Sequence, residues 1–153
     1  MSKLPPVLVA ILLSLFSFQA SAQKTVINED NNGKVNFTYA KQVVNTQTVY
    51  TIEIIYKNEQ TIYKEESDTL VLNTATAVQE FIAGLESGIA ALSDQNKNFK
   101  LDKPNYTLFK YNNGVVGTFI SISNHSGSIV SNNNKVQATI LLDWLKSINF
   151  GKE

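Results

Sequence analysis

The chain has 153 residues, with 13 basic against 13 acidic, one histidine and no cysteine, and every basic residue is a lysine. Without cysteine the fold must stand on packing, and a zinc site built from the usual cysteine and histidine donors has too few ligands. The lysines are scattered and arginine's planar fork is missing, so no concentrated positive surface exists for phosphate, which argues against nucleic acid as a partner.

The first residues combine Lys3, an apolar run from Val7 to Phe18, and Ala20-Ser21-Ala22 as a small-x-small cleavage site. This is the pattern of a secretory signal peptide, residues 1–22, cut after Ala22. The apolar run is about a dozen residues, where a bilayer span needs about 20, so no stable membrane span is expected after cleavage. Loss of Lys3 leaves twelve lysines against thirteen acids, a net charge near −1. Residues 23–153 are then expected to form a single periplasmic or secreted domain. With no cysteine to carry a lipid, that product is expected to be soluble.

From Lys24 the sequence is strand-like, and Asn32-Gly33 between KTVINED and KVNFTYAKQ predicts a hairpin. Val35, Phe37 and Tyr39 alternate with polar residues, as do Tyr50, Ile52, Ile54 and Tyr56, where only Ile55 breaks the pattern. A further strand is predicted over 60–64, then an acidic loop, Glu65-Glu66-Ser67-Asp68, and a short apolar run, Thr69–Leu72. In the segment 76–92, Val78, Phe81, Ile82, Leu85, Ile89 and Leu92 fall on one stripe of a 3.6-residue period, which predicts a helix. Thr76 with Gln79 matches a capping box at its start. Gly84 and Gly88 each cost such a helix about 1 kcal/mol against alanine, which predicts a close neighbour on that side.

Ser93 to Pro104 reads as a polar linker. A second hairpin is predicted about Asn113-Gly114, between 105–111 and 115–123, followed by a short strand over 127–131. Val136, Ile140, Leu141, Trp144, Leu145 and Ile148 then form a second amphipathic stripe. Two meander-then-helix units thus follow one another, and each helix contains Val-Gln (78–79 and 136–137), with no longer self-similarity. The expected fold is two-layer α+β, a mainly antiparallel sheet of about six or seven strands with two amphipathic helices packed on one face.

The stretch from Asp94 to Asn105 is the segment with ligand spacing. Oxygen-bearing side chains occupy loop positions 1, 3, 5, 9 and 12, and Asp94, Asn96, Asn98 and Asp102 are the candidate metal ligands. In this spacing it resembles the calcium loop of the EF-hand or dockerin type, which implies Ca2+ as ligand. Phe99 stands where that loop has glycine, Asn105 replaces the bidentate acid, three lysines intervene, and Pro104 precedes strand-like residues rather than a second helix. A solvated linker is the competing interpretation.

His125, in the turn Asn124-His125-Ser126-Gly127, has Ser126 and Ser128 nearby, but no nucleophile elbow surrounds any serine. Glu65, Glu66 and Asp68 gather three carboxylates, the residue type of glycoside hydrolysis, which needs a separation of about 5–9 Å that sequence neighbours rarely hold. No other cofactor is implied. Of six tyrosines, Tyr39, Tyr50, Tyr56, Tyr63, Tyr106 and Tyr111, most are expected to face the core. Phe109, Tyr111 and Phe119 run against the phase of Leu108, Ile120 and Ile122, which predicts aromatic rings on the opposite face. The expectation is a small exported non-enzymatic domain that binds a protein, a small molecule or a glycan. The alternatives are a carboxylate hydrolase using Glu65, Glu66, Asp68 and His125, and a structural subunit of an envelope assembly.

Overall fold

The computed structural model describes residues 23–32, 35–58, 66–127 and 129–152. The expected signal peptide lies outside the described residues, as do Glu65, Ser128 and the strand predicted over 60–64. The elements in order are β1 (Lys24–Asn32), β2 (Val35–Val44), β3 (Gln47–Asn58), β4 (Glu66–Leu72), α1 (Ala75–Leu92), β5 (Lys100–Lys103), β6 (Tyr106–Asn113), β7 (Gly117–Asn124), β8 (Ile129–Asn133) and α2 (Lys135–Ser147).

The class is α+β, but the strands form two four-stranded antiparallel sheets, β1-β2-β3-β4 and β5-β6-β7-β8, rather than one sheet of six or seven. β4 and β8 run beside each other at the seam with no ladder between them. The period-two alternation fixes which face a residue takes and carries no information about its neighbouring strand. On β8, Ser131 and Asn133 are both 1% exposed and satisfy each other, Asn133 Nδ2 donating to Ser131 Oγ at 2.7 Å.

The two units interlock. α1, which follows the first meander, packs on β6 and β7 of the second sheet, with Phe81 and Tyr106 edge to face at 5.0 Å. Gly84 and Gly88 make this approach close: a Cβ at Gly84 would meet Leu101 Cδ2 at 2.5 Å, and one at Gly88 would meet Ile120 Cδ1 at 3.0 Å. α2, which follows the second meander, reaches back to the first, where Trp144 lies 5.6 Å from Phe37. Phe150 then packs on Tyr39 and Tyr50, and the Gly151 N–H donates to Tyr39 Oη at 3.0 Å. Phe37, Ile52, Ile54, Leu70, Phe81, Leu85, Leu108, Ile120, Ile122, Leu141 and Leu145 all belong to one buried cluster drawing on both halves. The two Val-Gln pairs do not coincide within it. Val78 is the fourth residue after the cap Thr74, whereas Val136 is the second after Asn134.

Several local expectations shift by a residue or two. The α1 cap is Thr74, whose Oγ1 accepts the Ala77 N–H at 3.1 Å, so Thr76 already lies in the helix. A full capping box occurs at α2 instead, between Asn134 and Gln137. Glu66, Ser67 and Asp68 are the first residues of β4, paired with Asn58, Lys57 and Tyr56, where a loop was expected. The supposed linker ends in β5, whose charged residues mask the single apolar anchor Leu101 opposite Leu108. At the second hairpin the Asn113 carbonyl accepts the Val116 N–H at 3.1 Å and Gly117 takes φ +119°, so the tip is Gly114-Val115-Val116. β1 and β2 do form a hairpin, with Asn32 opposite Val35, and Gly33 of the turn expected at Asn32-Gly33 lies outside the described residues.

The turn with two left-handed residues joins β2 to β3, at Asn45 (φ 48°) and Thr46 (φ 67°). A β-branched residue is strained there by roughly 1–2 kcal/mol, partly offset in glycine by backbone entropy. Thr46→Gly, which creates the favoured Asn-Gly turn, is expected to stabilise the protein by about 1 kcal/mol and raise Tm by a few degrees in thermal denaturation.

Tyr106 carries a second testable strain. It is 3% exposed, its hydroxyl has no hydrogen-bond partner, and burial, with Glu80 adding to it, pushes its pKa up to about 12. The unfolded chain ionises this phenol near pH 10, so the stability it carries is intact below pH 10 and is lost as pH rises towards 12. Tyr106→Phe is expected to gain about 1 kcal/mol at neutral pH. Melting curves at pH 9 and 11.5 should fall further apart for the wild type than for this variant.

Candidate functional site

Both sheets turn one face to the helices and leave the other open. In the first sheet the open face carries Thr38, Thr51, Glu53 and Thr69, with Ile55 and Val71 as apolar exceptions. The Lys24 ammonium pairs with the Glu53 carboxylate, a link that crosses the sheet diagonally over Ala40, which is 1% exposed. The edge strand β1 is interrupted by a bulge at Ile27, a device that discourages pairing with another chain.

The open face of the second sheet has a different composition. Directly opposed residues share a face, and the register gives Asp102-Thr107-Ser123 across β5, β6 and β7. The next row is Lys100-Phe109-Ser121-Asn132, and beyond it stands the pair Tyr111-Phe119. The three rings predicted to oppose the core phase therefore lie together on this face. Tyr111 is 46% exposed, while Phe109 and Phe119 are half-buried. Of the other tyrosines, Tyr39 and Tyr106 face the core as expected and Tyr50 is packed against it.

Beside the rings on β7, Ser121 and Ser123 are buried, at 0% and 7% exposure. Ser121 Oγ donates to Asn132 Oδ1. Towards β5 lies a cavity of about 460 Å³ lined by Asn98, Phe99, Lys100, Thr107, Phe109, Lys110 and Ser123. At its rim Asp102 accepts from Thr107 Oγ1 at 2.9 Å and pairs with Lys100 at 2.9 Å. These two hydrogen bonds hold the Asp102 carboxyl below the ordinary aspartate range. The aromatic edge continues into the β6–β7 tip, where Val115 is 95% exposed and Val116 is 69% exposed.

The four expected metal ligands lie along the loop and β5. Asp94 Oδ1 accepts the Asn96 N–H at 3.0 Å, Asn96 and Asn98 are exposed, and Asp102 is held by Lys100 and Thr107. Among the described residues no group of three or more histidines and carboxylates could hold a metal ion. The loop nevertheless does cradle a cation, which belongs to the chain itself. Lys110 Nζ donates to the carbonyls of Ala91, Asp94 and Lys97 at 3.1, 2.6 and 2.9 Å, with Gln95 at 3.5 Å.

The ammonium thereby caps carbonyls at the C-terminus of α1, where the helix dipole favours positive charge. Lys110 falls in the strand phase of Leu108, so a lysine on an apolar phase was the signal for it. Lys110→Met keeps the stem and removes the charge, and is expected to cost about 2 kcal/mol in denaturant titration. Added calcium should leave the wild-type Tm unchanged, because an incoming ion must displace a tethered ammonium.

Of the hydrolase nominees, Glu65 lies outside the described residues. Glu66 and Asp68 belong to β4 in the first sheet, whereas His125 is exposed in the turn after β7 in the second. Among the described residues no helix is long and apolar enough to cross a membrane. Comparison with known proteins finds no family model that matches the chain and no curated relative.

Proposed function

We propose that the protein is an exported, non-enzymatic binding domain whose ligand sits on the open face of β5–β8. The observation that carries this proposal is the gathering of Phe109, Tyr111 and Phe119 on the face the helices leave bare, beside a cavity with hydroxyl and amide groups. Exposed aromatics next to convergent polar groups are the usual chemistry of a binding surface. The export component rests on residues 1–22, and mass spectrometry of the exported protein should find a mature N-terminus at Gln23.

The binding component is tested with the double variant Phe109→Ser, Tyr111→Ser. Its Tm should stay close to that of the wild type, and whatever co-purifies with the wild type from the exported fraction should be lost. Retention of the same co-purifying species would overturn the assignment of this face. A second interpretation, a subunit of an envelope assembly, is favoured by the bare valine tip, since exposed apolar side chains in a contiguous group mark protein contacts. A stable dimer by size-exclusion with light scattering that Val115→Ser, Val116→Ser dissolves would support it.

A further inference from the structure

We infer that the ligand of the open face is a neutral oligosaccharide lying against Phe109 and Tyr111 at the cavity beside β5, an assignment that rests on the binding proposal above. The first ground is charge. The face carries two formal charges, on Lys100 and Asp102, and they neutralise each other at 2.9 Å. Lys110, the other lysine at the cavity, has its ammonium committed to the carbonyls at the end of α1. No net charge is left to attract a phosphate, a sulfate or a uronate, and no arginine exists to grip one.

The second ground is the kind of polar group present. A pyranose offers an apolar face of C–H bonds and a rim of hydroxyls that both donate and accept. Phe109 and Tyr111 supply ring faces two residues apart on one strand, a spacing of about 7 Å. The rim is met by the Lys100–Asp102 pair, which sets a donor beside an acceptor as a vicinal diol requires, and by Thr107 and Asn98. Ser123 adds a hydroxyl to the cavity lining beside Thr107. The cavity of about 460 Å³ falls in the ordinary range of small-ligand sites.

An array of neutral gluco-, manno-, galacto- and N-acetylhexosamine oligosaccharides provides the test, with calorimetry on the best hexasaccharide. The mature wild type is expected to bind one such class, with an affinity unchanged between 0.05 and about 0.5 M salt because no ion pair forms. Phe109→Ser and Tyr111→Ser should each weaken binding about tenfold. Asp102→Ala, which removes both acceptor oxygens of the donor–acceptor pair, should weaken it as well. Thr51→Ser on the other sheet should leave it unchanged.

Binding of sulfated or uronic oligosaccharides alone would overturn the inference, as would no binding by protein shown to be folded from its melting curve. Loss of a co-purifying polypeptide from the Phe109→Ser, Tyr111→Ser variant would overturn the saccharide while leaving the binding face in place, which separates the two proposals.

Discussion

Gly88→Leu is expected to destabilise the protein by about 3 kcal/mol, at the upper end of overpacking costs. A Cβ at this position already stands 3.0 Å from Ile120 Cδ1 and 3.1 Å from Phe99 Cε1, and Ile120 is fully buried on β7, an inner strand of the second sheet. An isobutyl group must therefore push α1 off β7 or drive Ile120 from its place. Gly88→Ala is expected to be close to neutral. The gain of about 1 kcal/mol in helix propensity offsets contacts that a few tenths of an ångström relieve. Ala90→Leu, on the exposed side of the same helix, should change stability by less than about 0.5 kcal/mol. Urea titration of the three variants checks the pattern. Equal effects at positions 88 and 90 would show that α1 is not seated on its glycines.

Trp144→Ala is expected to cost more, about 4 kcal/mol, the range for deleting a large buried aromatic. Trp144 is 7% exposed and is the contact by which α2 holds Phe37 of the first sheet. Its indole N–H is buried without a hydrogen-bond partner, so part of the residue already works against the fold. Trp144→Phe keeps most of the ring packing and removes that orphan, and should cost well under half as much as alanine. Because α1 of the first unit sits on the second sheet and α2 reaches back to the first, both halves should unfold together in Trp144→Ala. Circular dichroism and tyrosine fluorescence should give coincident transitions. Two separated transitions would mean that the meanders are independent.

Much of this interlocking fold was legible in the sequence, and the parts that were not have physical reasons. Both helices declared themselves through their apolar stripes, although in the second Val136 and Ile140 turn out exposed and Ala138 and Leu142 are buried instead. The meanders showed through alternation, as in Phe37, Tyr39, Ile52 and Ile54, all in the core. Gly84 and Gly88 announced a close neighbour, which is the second sheet. What stayed hidden was the seam. Ser131 and Asn133 look like solvent-facing residues, yet they are buried at β8 because each hydrogen-bonds the other. β5 was masked because Lys100, Asp102 and Lys103 surround its one apolar residue. A type I′ turn at Asn45-Thr46 was missed because threonine is an unfavourable occupant of that conformation.

For the site, the contrary phase of Phe109, Tyr111 and Phe119 was readable, and the face they occupy follows from it. Their polar companions were not, because Lys100, Asp102 and Asn132 join them only through strand pairing. The ligand-spaced loop was read from its side chains, whereas its backbone carbonyls hold the Lys110 ammonium. Side-chain spacing in a sequence says nothing about carbonyl direction, which the exit from α1 determines.

Photo-crosslinking in the exporting cell decides whether ligand sits on the bare face of β5–β8. A photoreactive phenylalanine analogue is placed at Tyr111, and at Thr51 on the open face of the first sheet as the control. Because the reactive group inserts into any nearby C–H bond, it captures a saccharide or a polypeptide equally. An adduct of raised mass is expected from position 111 and none from position 51. An adduct from position 51 with none from position 111 would contradict this placement of the ligand.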